Sequence, residues 1–446
     1  MSNSEEISSW LQENNITEVE CLVPDLTGNA RGKFIPAAKF VKEDSRLPES
    51  ILIQTVTGEY CEEHYDLVSP GDHDMLLQPD SSTIRSVPWA KEPTAQIIHD
   101  CYLRDGSPHP LASRNVLKHV LKLYEAEGWK PILAPEMEFY LVAKSINPDM
   151  DLEAPIGRSG RAEAARQAYS IDAANEFEGV IEDMYTFCNE QNLDVDTLIH
   201  ESGVAQLEIN FLHGNPLDLA DQVFTFKRTL RETALRNNIH ATFMAKPHEN
   251  EPGSAMHIHQ SIYDSEGNNL FVDKNGKENT LFHNYIGGMQ KYIPYCMSLF
   301  APNVNSYRRF TPEQAAPLNM AWGYDNRSAG LRVPDSNSKN KRIENRFPGA
   351  DANPYLAIAT SLACGYLGVK HKIKPSKPST ANMEDVEIEL ERNLLSSLEM
   401  LDQSPEVVEL FGELFIKAYK AVKSQEFEDF NKVISSWERE FLLLNV

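Results

Sequence analysis

Four short stretches of the chain alternate between apolar and ionisable residues with a period of two. In Pro135-Glu136-Met137-Glu138-Phe139, both carboxylates fall on one side and Met137 and Phe139 on the other. Gln206–Phe211 repeats the pattern with Glu208, Met256–Ser261 with His257 and His259, and Arg342–Phe347 with Arg342, Glu344 and Arg346. Successive side chains of a strand point to opposite faces, so each stretch predicts a strand with one apolar and one polar face. An ordinary surface strand mixes Thr, Lys and Gln on its wet side. These carry Glu, His and Arg, the residues that bind metals and phosphates. Side by side, the four strands would line one cavity with carboxylates, imidazoles and guanidiniums. Buried charge left uncompensated is expensive, and metal ions with an anionic nucleotide are the compensation such a face calls for.

The rest of the chain predicts an α+β protein in two parts. Residues 1–106 read as a small unit and 107–446 as a large one, with the boundary at Asp105-Gly106-Ser107-Pro108-His109-Pro110. In the small unit a helix is expected over Ser4–Asn14. Strands are expected over Glu18–Val23, Asn29–Ile35, Ile51–Val56 and Ile97–Leu103, with Asp25-Leu26-Thr27-Gly28 as a turn. Val116, Val120, Leu123 and Tyr124 give Ser113–Gly128 the apolar face of a helix. Asn215-Pro216 and Asn353-Pro354 each place a capping residue before a proline suited to the first helical position. Asp149–Gln167 reads as an irregular surface loop, and the pattern from Val386 onward is helical.

With 446 residues, 41% hydrophobic and 24% charged, the chain is of ordinary globular composition. Its formal charge of −24 argues against nucleic acid as a partner and is compatible with a cationic substrate. No apolar run is long enough to span a bilayer, and the polar start, Met-Ser-Asn-Ser-Glu-Glu, is no signal peptide. The six cysteines are scattered without a CxxC pair, as in a cytoplasmic protein with reduced thiols.

Glu136, Glu138, Glu201, Glu208 and Glu344, with His257, could hold two divalent cations. Oxygen ligation with one imidazole suits Mg²⁺ or Mn²⁺ better than Zn²⁺. Arg309, Arg327, Arg332, Lys339, Arg342 and Arg346 fall within 38 residues. Such cations beside two metal ions point to phosphoryl transfer, where positioning and charge neutralisation do most of the catalysis. No phosphate-cradling glycine loop is present, so metals and arginines would hold the nucleotide.

Together these motifs resemble the glutamine synthetase superfamily. The resemblance rests on Pro135–Phe139, Gly253-Ser254-Ala255-Met256-His257-Ile258-His259, Asn326-Arg327-Ser328 and the run from Arg342 to Leu356. It implies an N-terminal β-grasp domain and a larger catalytic domain with a curved antiparallel sheet and surrounding helices. It implies a homo-oligomer, commonly a dodecamer of two hexameric rings, with active sites between subunits. One metal would be held by Glu138, Glu201 and Glu208, the other by Glu136, His257 and Glu344. Gly253, Arg309 and Arg346 would bind L-glutamate, with His257 beside it. His259, Ser261, Arg332, Lys339 and Arg342 would face ATP, and Arg327 the transferred phosphate. Arg309, Arg327 and Glu344 would carry the catalysis.

Two departures bear on the nucleophile. Ammonia-using members carry an Asp where this chain has Thr57 and a flap Glu where it has Ala315. Both acids that handle ammonium are missing, and the smaller uncharged residues leave room for an alkyl chain. With Ala301–Phe310 and Ala241–Pro247, the chain looks most similar to bacterial γ-glutamylputrescine and γ-glutamylpolyamine synthetases. The expected activity is therefore an ATP-dependent glutamate–amine ligase. The alternatives are an ammonium-using glutamine synthetase and a catalytically inactive structural or nitrogen-sensing homologue, which would have no reason to keep the full ligand set. Glu59, Glu62 and Glu63, on a neighbouring subunit's loop, are candidates for the far ammonium of a diamine.

Overall fold

A computed structural model describes residues 3–145, 147–311, 316–382 and 390–446. The fold is mixed α+β, built on two sheets. The first contains β1 (Glu18–Pro24), β2 (Ala30–Pro36), β3 (Ser45–Pro48), β4 (Asp74–Pro79), β5 (Arg85–Ser86) and β6 (Thr94–Tyr102). Its order is β2-β1-β6-β4-β3, with β5 also on β6; β1 and β6 run parallel and the other pairs antiparallel. The helix Asn3–Glu13 lays Ile7 and Leu11, one turn apart, against Val19, Cys21, Ala95 and Ile97.

One predicted strand is absent. Ile51–Val56 begins inside a 3₁₀ turn over Glu49–Ile53. Ser50 donates its backbone N–H to Asp72 at 3.0 Å, and Glu49 accepts from the Ser69 N–H, also at 3.0 Å. These side-chain bonds offer the backbone an alternative to a ladder, while Leu52 and Ile53 remain buried within the turn.

The second sheet contains β7 (Lys130–Ala143), β8 (Val195–His200), β9 (Gln206–Phe211), β10 (Ile239–Thr242), β11 (Met256–Tyr263), β12 (Trp322–Tyr324), β13 (Leu331–Val333) and β14 (Ile343–Asn345). Its order is β12-β13-β14-β11-β7-β9-β8, with β10 on the far end of β7. Among the described residues of this sheet, only β12 and β13 pair in parallel. The four polar-faced segments are consecutive neighbours, β14-β11-β7-β9. Register sets Glu138 opposite Glu208, Glu136 opposite both Asn210 and His257, and His259 opposite Glu344. Their other faces put Met137, Phe139, Leu207, Ile209, Met256, Ile258 and Ile343 into the main core.

Long helices complete the core: Ser113–Ala126, Pro216–Arg236, Thr280–Phe300 and Pro354–Lys370. Asn215 and Asn353 cap the second and fourth as predicted, each accepting two backbone N–H groups ahead of Pro at the first position. Asn353 also donates to the Asp25 carbonyl at 2.9 Å. Gly28, at φ +84°, passes so close that a Cβ would lie 3.2 Å from the Asn353 backbone. Helices at Leu394–Met400, Pro405–Phe411, Glu413–Asn431 and Ser436–Leu442 fill the predicted helical C-terminal region, whose first residues, 386–389, lie outside the described set. Among the described residues, no helix is long and apolar enough to cross a membrane.

Candidate active site

Strand pairing gathers the predicted acids. Glu136 and Glu138 come from β7, Glu208 from β9, His257 and His259 from β11, Glu344 from β14, and Glu201 from the turn that joins β8 to β9. Ligand atoms of Glu138, Glu201 and Glu208 lie within 4.8 Å of one another, as do those of Glu136, Glu208 and His257, and of Glu136, His259 and Glu344. His257 Nδ1 is 3.5 Å from Glu136 and 3.8 Å from Glu344. His259, predicted at the nucleotide, also joins the cluster. Its Nδ1 accepts from Arg342 Nε at 3.2 Å, which leaves the Nε2 proton for Glu136 Oε1 at 2.9 Å.

The electrostatics divide the cluster in two. Burial, then Glu201, pushes Glu138 up to about 8. Burial, then Glu136, Glu138, Glu201 and Glu344, pushes Glu208 up to about 10, and burial with Glu136 also raises Glu201. These three acids repel one another, and the pull of Arg309 and Arg346 on Glu138, and of Arg346 and His200 on Glu201, does not offset it. Burial acts to raise Glu344 too, but His259, Arg346 and His257 overcome it and hold it at about 2. Glu136 is likewise held well below the usual range, because hydrogen bonds from His257 and His259, and the charge of these rings when protonated, outweigh its burial. Burial and Arg346 lower His257, favouring the neutral imidazole that ligation needs. An all-oxygen group whose acids are still pushed up, beside an oxygen-and-imidazole group, fits two hard divalent cations.

The arginines lie close by. Arg332 Nη1 donates to Glu344 Oε2 at 2.8 Å and Arg346 Nη1 to Glu344 Oε1 at 2.7 Å. Arg332, predicted at the nucleotide, is thus tied to the cluster and to Asp325. Arg309 is buried, donating to the Phe347 and Arg346 carbonyls at 2.8 and 2.7 Å, and burial lowers it to about 10. Gly253 packs on it so closely that a Cβ would sit 2.6 Å from both Arg309 Cγ and the Ala245 carbonyl. Only glycine fits there. Arg327 is exposed between β12 and β13, and Lys339 is exposed beyond β13.

A cavity of about 350 Å³ opens beside the cluster, lined by Glu136, His259, Ser261 and Arg342. It also recruits Asp196, Asn210, His213 and Tyr263, which the sequence reading missed. Asn210 was open to discovery, since it stands two residues from Glu208 on the same face. Asp196 and His213 lie at the ends of strands and carry no pattern. Two larger cavities, of about 940 and 930 Å³, are lined by none of these carboxylates, so chemistry rather than volume identifies the site. Glu59, Glu62 and Glu63 are exposed on a loop of the first sheet region, and within one chain they do not line the 350 Å³ cavity. Thr57 is exposed, its hydroxyl 2.9 Å from that of Thr55; Ala315 lies outside the described residues.

A largely antiparallel sheet here carries buried carboxylates, imidazoles and arginines beside an open cavity, a donor set that could hold divalent cations and meet phosphate. Residues 110–442 match the family model described as glutamine synthetase, catalytic domain, and the chain belongs to the glutamine synthetase family. It is 33% identical over 456 residues to the γ-glutamylputrescine synthetase PuuA of Escherichia coli (strain K12), covering 99% of this chain and 95% of the relative. It is 30% identical over 444 residues to a glutamate–isopropylamine ligase of a Pseudomonas species, covering 97% and 96%. Its fold matches the structure of a GmaS/ADP complex with a TM-score of 0.84 at 26% identity, over 98% of this chain and 99% of that one.

Proposed function

We propose that the protein is an ATP-dependent ligase joining the γ-carboxyl of L-glutamate to putrescine or another polyamine. A γ-carboxylate oxygen takes the terminal phosphoryl group of ATP, releasing ADP. The neutral amine then attacks the acyl carbon of γ-glutamyl phosphate, phosphate leaves, and the nitrogen gives up a proton to yield the γ-glutamyl-amine. The observation that carries this reading is the sheet face itself: three overlapping groups of ligand side chains, flanked by buried arginines, beside a cavity that holds His259, Ser261 and Arg342.

Glu138, Glu201 and Glu208 would hold one Mg²⁺ or Mn²⁺, and Glu136, His257 and Glu344 the other. Bound there, the cations neutralise phosphate and carboxylate oxygens as they are brought together. Arg309, which packs closely on Gly253, and Arg346 receive glutamate, whose carboxylates suit guanidinium donors. His259, Ser261 and Arg342, with Lys339, face ATP. Arg332 exchanges its hold on Glu344 for the nucleotide, and Arg327 attends the transferred phosphate.

The preference for an amine rests on Thr57 and Ala315, which replace the two ammonium-handling acids, and on two similar proteins named for amine substrates. The second reading is glutamine synthetase, the name of a Thermococcus kodakarensis relative that is 34% identical over 374 residues. Phosphate release from ATP and glutamate, with ammonium set against a panel of amines, separates them. Faster turnover with putrescine or a longer polyamine is expected, and a preference for ammonium would select the alternative. Thr57→Asp with Ala315→Glu should shift the ratio of ammonium to amine activity upward in the same assay.

A further inference from the structure

The irregular stretch after β7 carries one acid that is not solvated. Arg161, Ala162 and Ala164 are exposed, yet the Glu163 side chain is only 7% exposed. Its Oε2 accepts the Ala205 backbone N–H at 2.6 Å and faces His200 Nε2 at 3.1 Å. The other ring nitrogen, His200 Nδ1, lies 2.8 Å from the Glu201 carbonyl oxygen. One carboxylate therefore grips both ends of the turn that carries Glu201.

That turn needs holding. Ala205 is buried at φ +55°, a conformation that costs an L residue energy unless its surroundings enforce it. A second loop acid, Glu251, accepts the Val204 N–H at 3.3 Å and is itself met by Arg166 Nε at 3.3 Å. Glu163 Oε1 is buried without a hydrogen bond among the described residues, so this acid bears a desolvation cost to stand where it does.

We propose that Glu163 and His200 are positioning residues. They hold the Glu201 carboxylate within reach of Glu138 and Glu208, so that removing either weakens one divalent-cation site and spares the other. This rests on the reading that Glu138, Glu201 and Glu208 hold one cation while Glu136, His257 and Glu344 hold the second. Outer partners of metal ligands typically contribute about 10–100-fold to metal affinity.

The test is Mn²⁺ binding to the purified full-length protein, followed by electron paramagnetic resonance, with unfolding monitored in chelator. Wild type should bind Mn²⁺ at two sites. In Glu163→Ala, one site should weaken about tenfold or more while the other stays within about twofold, with cooperative unfolding retained. His200→Gln cuts the same chain of contacts independently and decides the matter if Glu163→Ala does not fold. The double variant should bind no more weakly than the worse single one, because both substitutions break one linkage. Two unaltered sites, or equal weakening of both, would overturn the positioning role. A wild-type protein that binds no Mn²⁺ would instead overturn the metal reading of the cluster.

Discussion

Single side chains in this site are placed by opposing charge rather than by packing. Glu138 sits among like charges with a backbone N–H, that of Ala255 at 2.7 Å, as its hydrogen-bond donor. Glu344 sits between two arginines. On the proposed reading both acids serve ligands rather than the core. Glu138→Ala and Glu344→Ala should each lower turnover by about 10²-fold or more, as removal of a principal electrostatic stabiliser does, while the protein still folds. Phosphate-release assays beside a thermal melt check this, and near wild-type activity in either variant would refute it. Lys227 shows the same conflict away from the site. It is buried, donates to the Ala352 carbonyl at 2.9 Å, and burial lowers it from 10.5 to about 7. Between these two values the unfolded chain binds the extra proton, so stability should rise with pH across about 7 to 10.5 and the penalty is complete below that window. Lys227→Met should flatten that rise in a series of melts taken from pH 6 to 10; an unchanged slope would show that another group produces it.

Elements are joined by one buried ionic network. Arg114, near the start of helix Ser113–Ala126, donates to Asp100 on β6 at 2.5 Å, to Asp80 beyond β4 at 2.7 Å and to Asp221 on helix Pro216–Arg236 at 2.8 and 2.9 Å. Tyr355, on helix Pro354–Lys370, completes Asp221 at 2.7 Å. One guanidinium thus ties the first sheet to two helices of the main core. Replacing only the cation strands buried carboxylates, so Arg114→Met should cost about 3–5 kcal/mol in chemical denaturation. A loss below about 1 kcal/mol would mean that solvent or Lys118 compensates.

At the scale of the whole molecule, active sites between subunits, as the family resemblance implies, would bring the Glu59–Glu63 loop to a neighbour's amine pocket. A diamine must present one neutral nitrogen to the acyl phosphate while its far ammonium stays charged. The net charge of −24 is compatible with attraction of that cation, and the loop acids would pair with it locally. Changing Glu59, Glu62 and Glu63 to Gln should raise KM for putrescine several-fold at low salt and leave KM for ATP and glutamate unchanged. The difference should shrink as salt screens exposed charge. An unaltered putrescine KM at low ionic strength would exclude the loop from recognition.

Alternation with period two is a local property, and through it the four strands, their apolar backs and their acidic fronts were legible residue by residue. So were the caps at Asn215 and Asn353, because a capping side chain bonds its own helix. The turn at Glu49–Ile53 was not, since Asp72 and Ser69 reach back across some twenty residues to make it. Nor did alternation say which acids would crowd together. Glu208 meets Glu138, and His257 meets Glu136, only through pairings between strands far apart in the chain. The sequence by itself determined which side chains share a face. Tertiary structure alone decided their distances, and with them that His259 leans on Glu136, that Arg332 holds Glu344, and that a loop acid, Glu163, grips the turn of Glu201. Electrostatic energies depend on distance and burial, and both are set when the strands come into register.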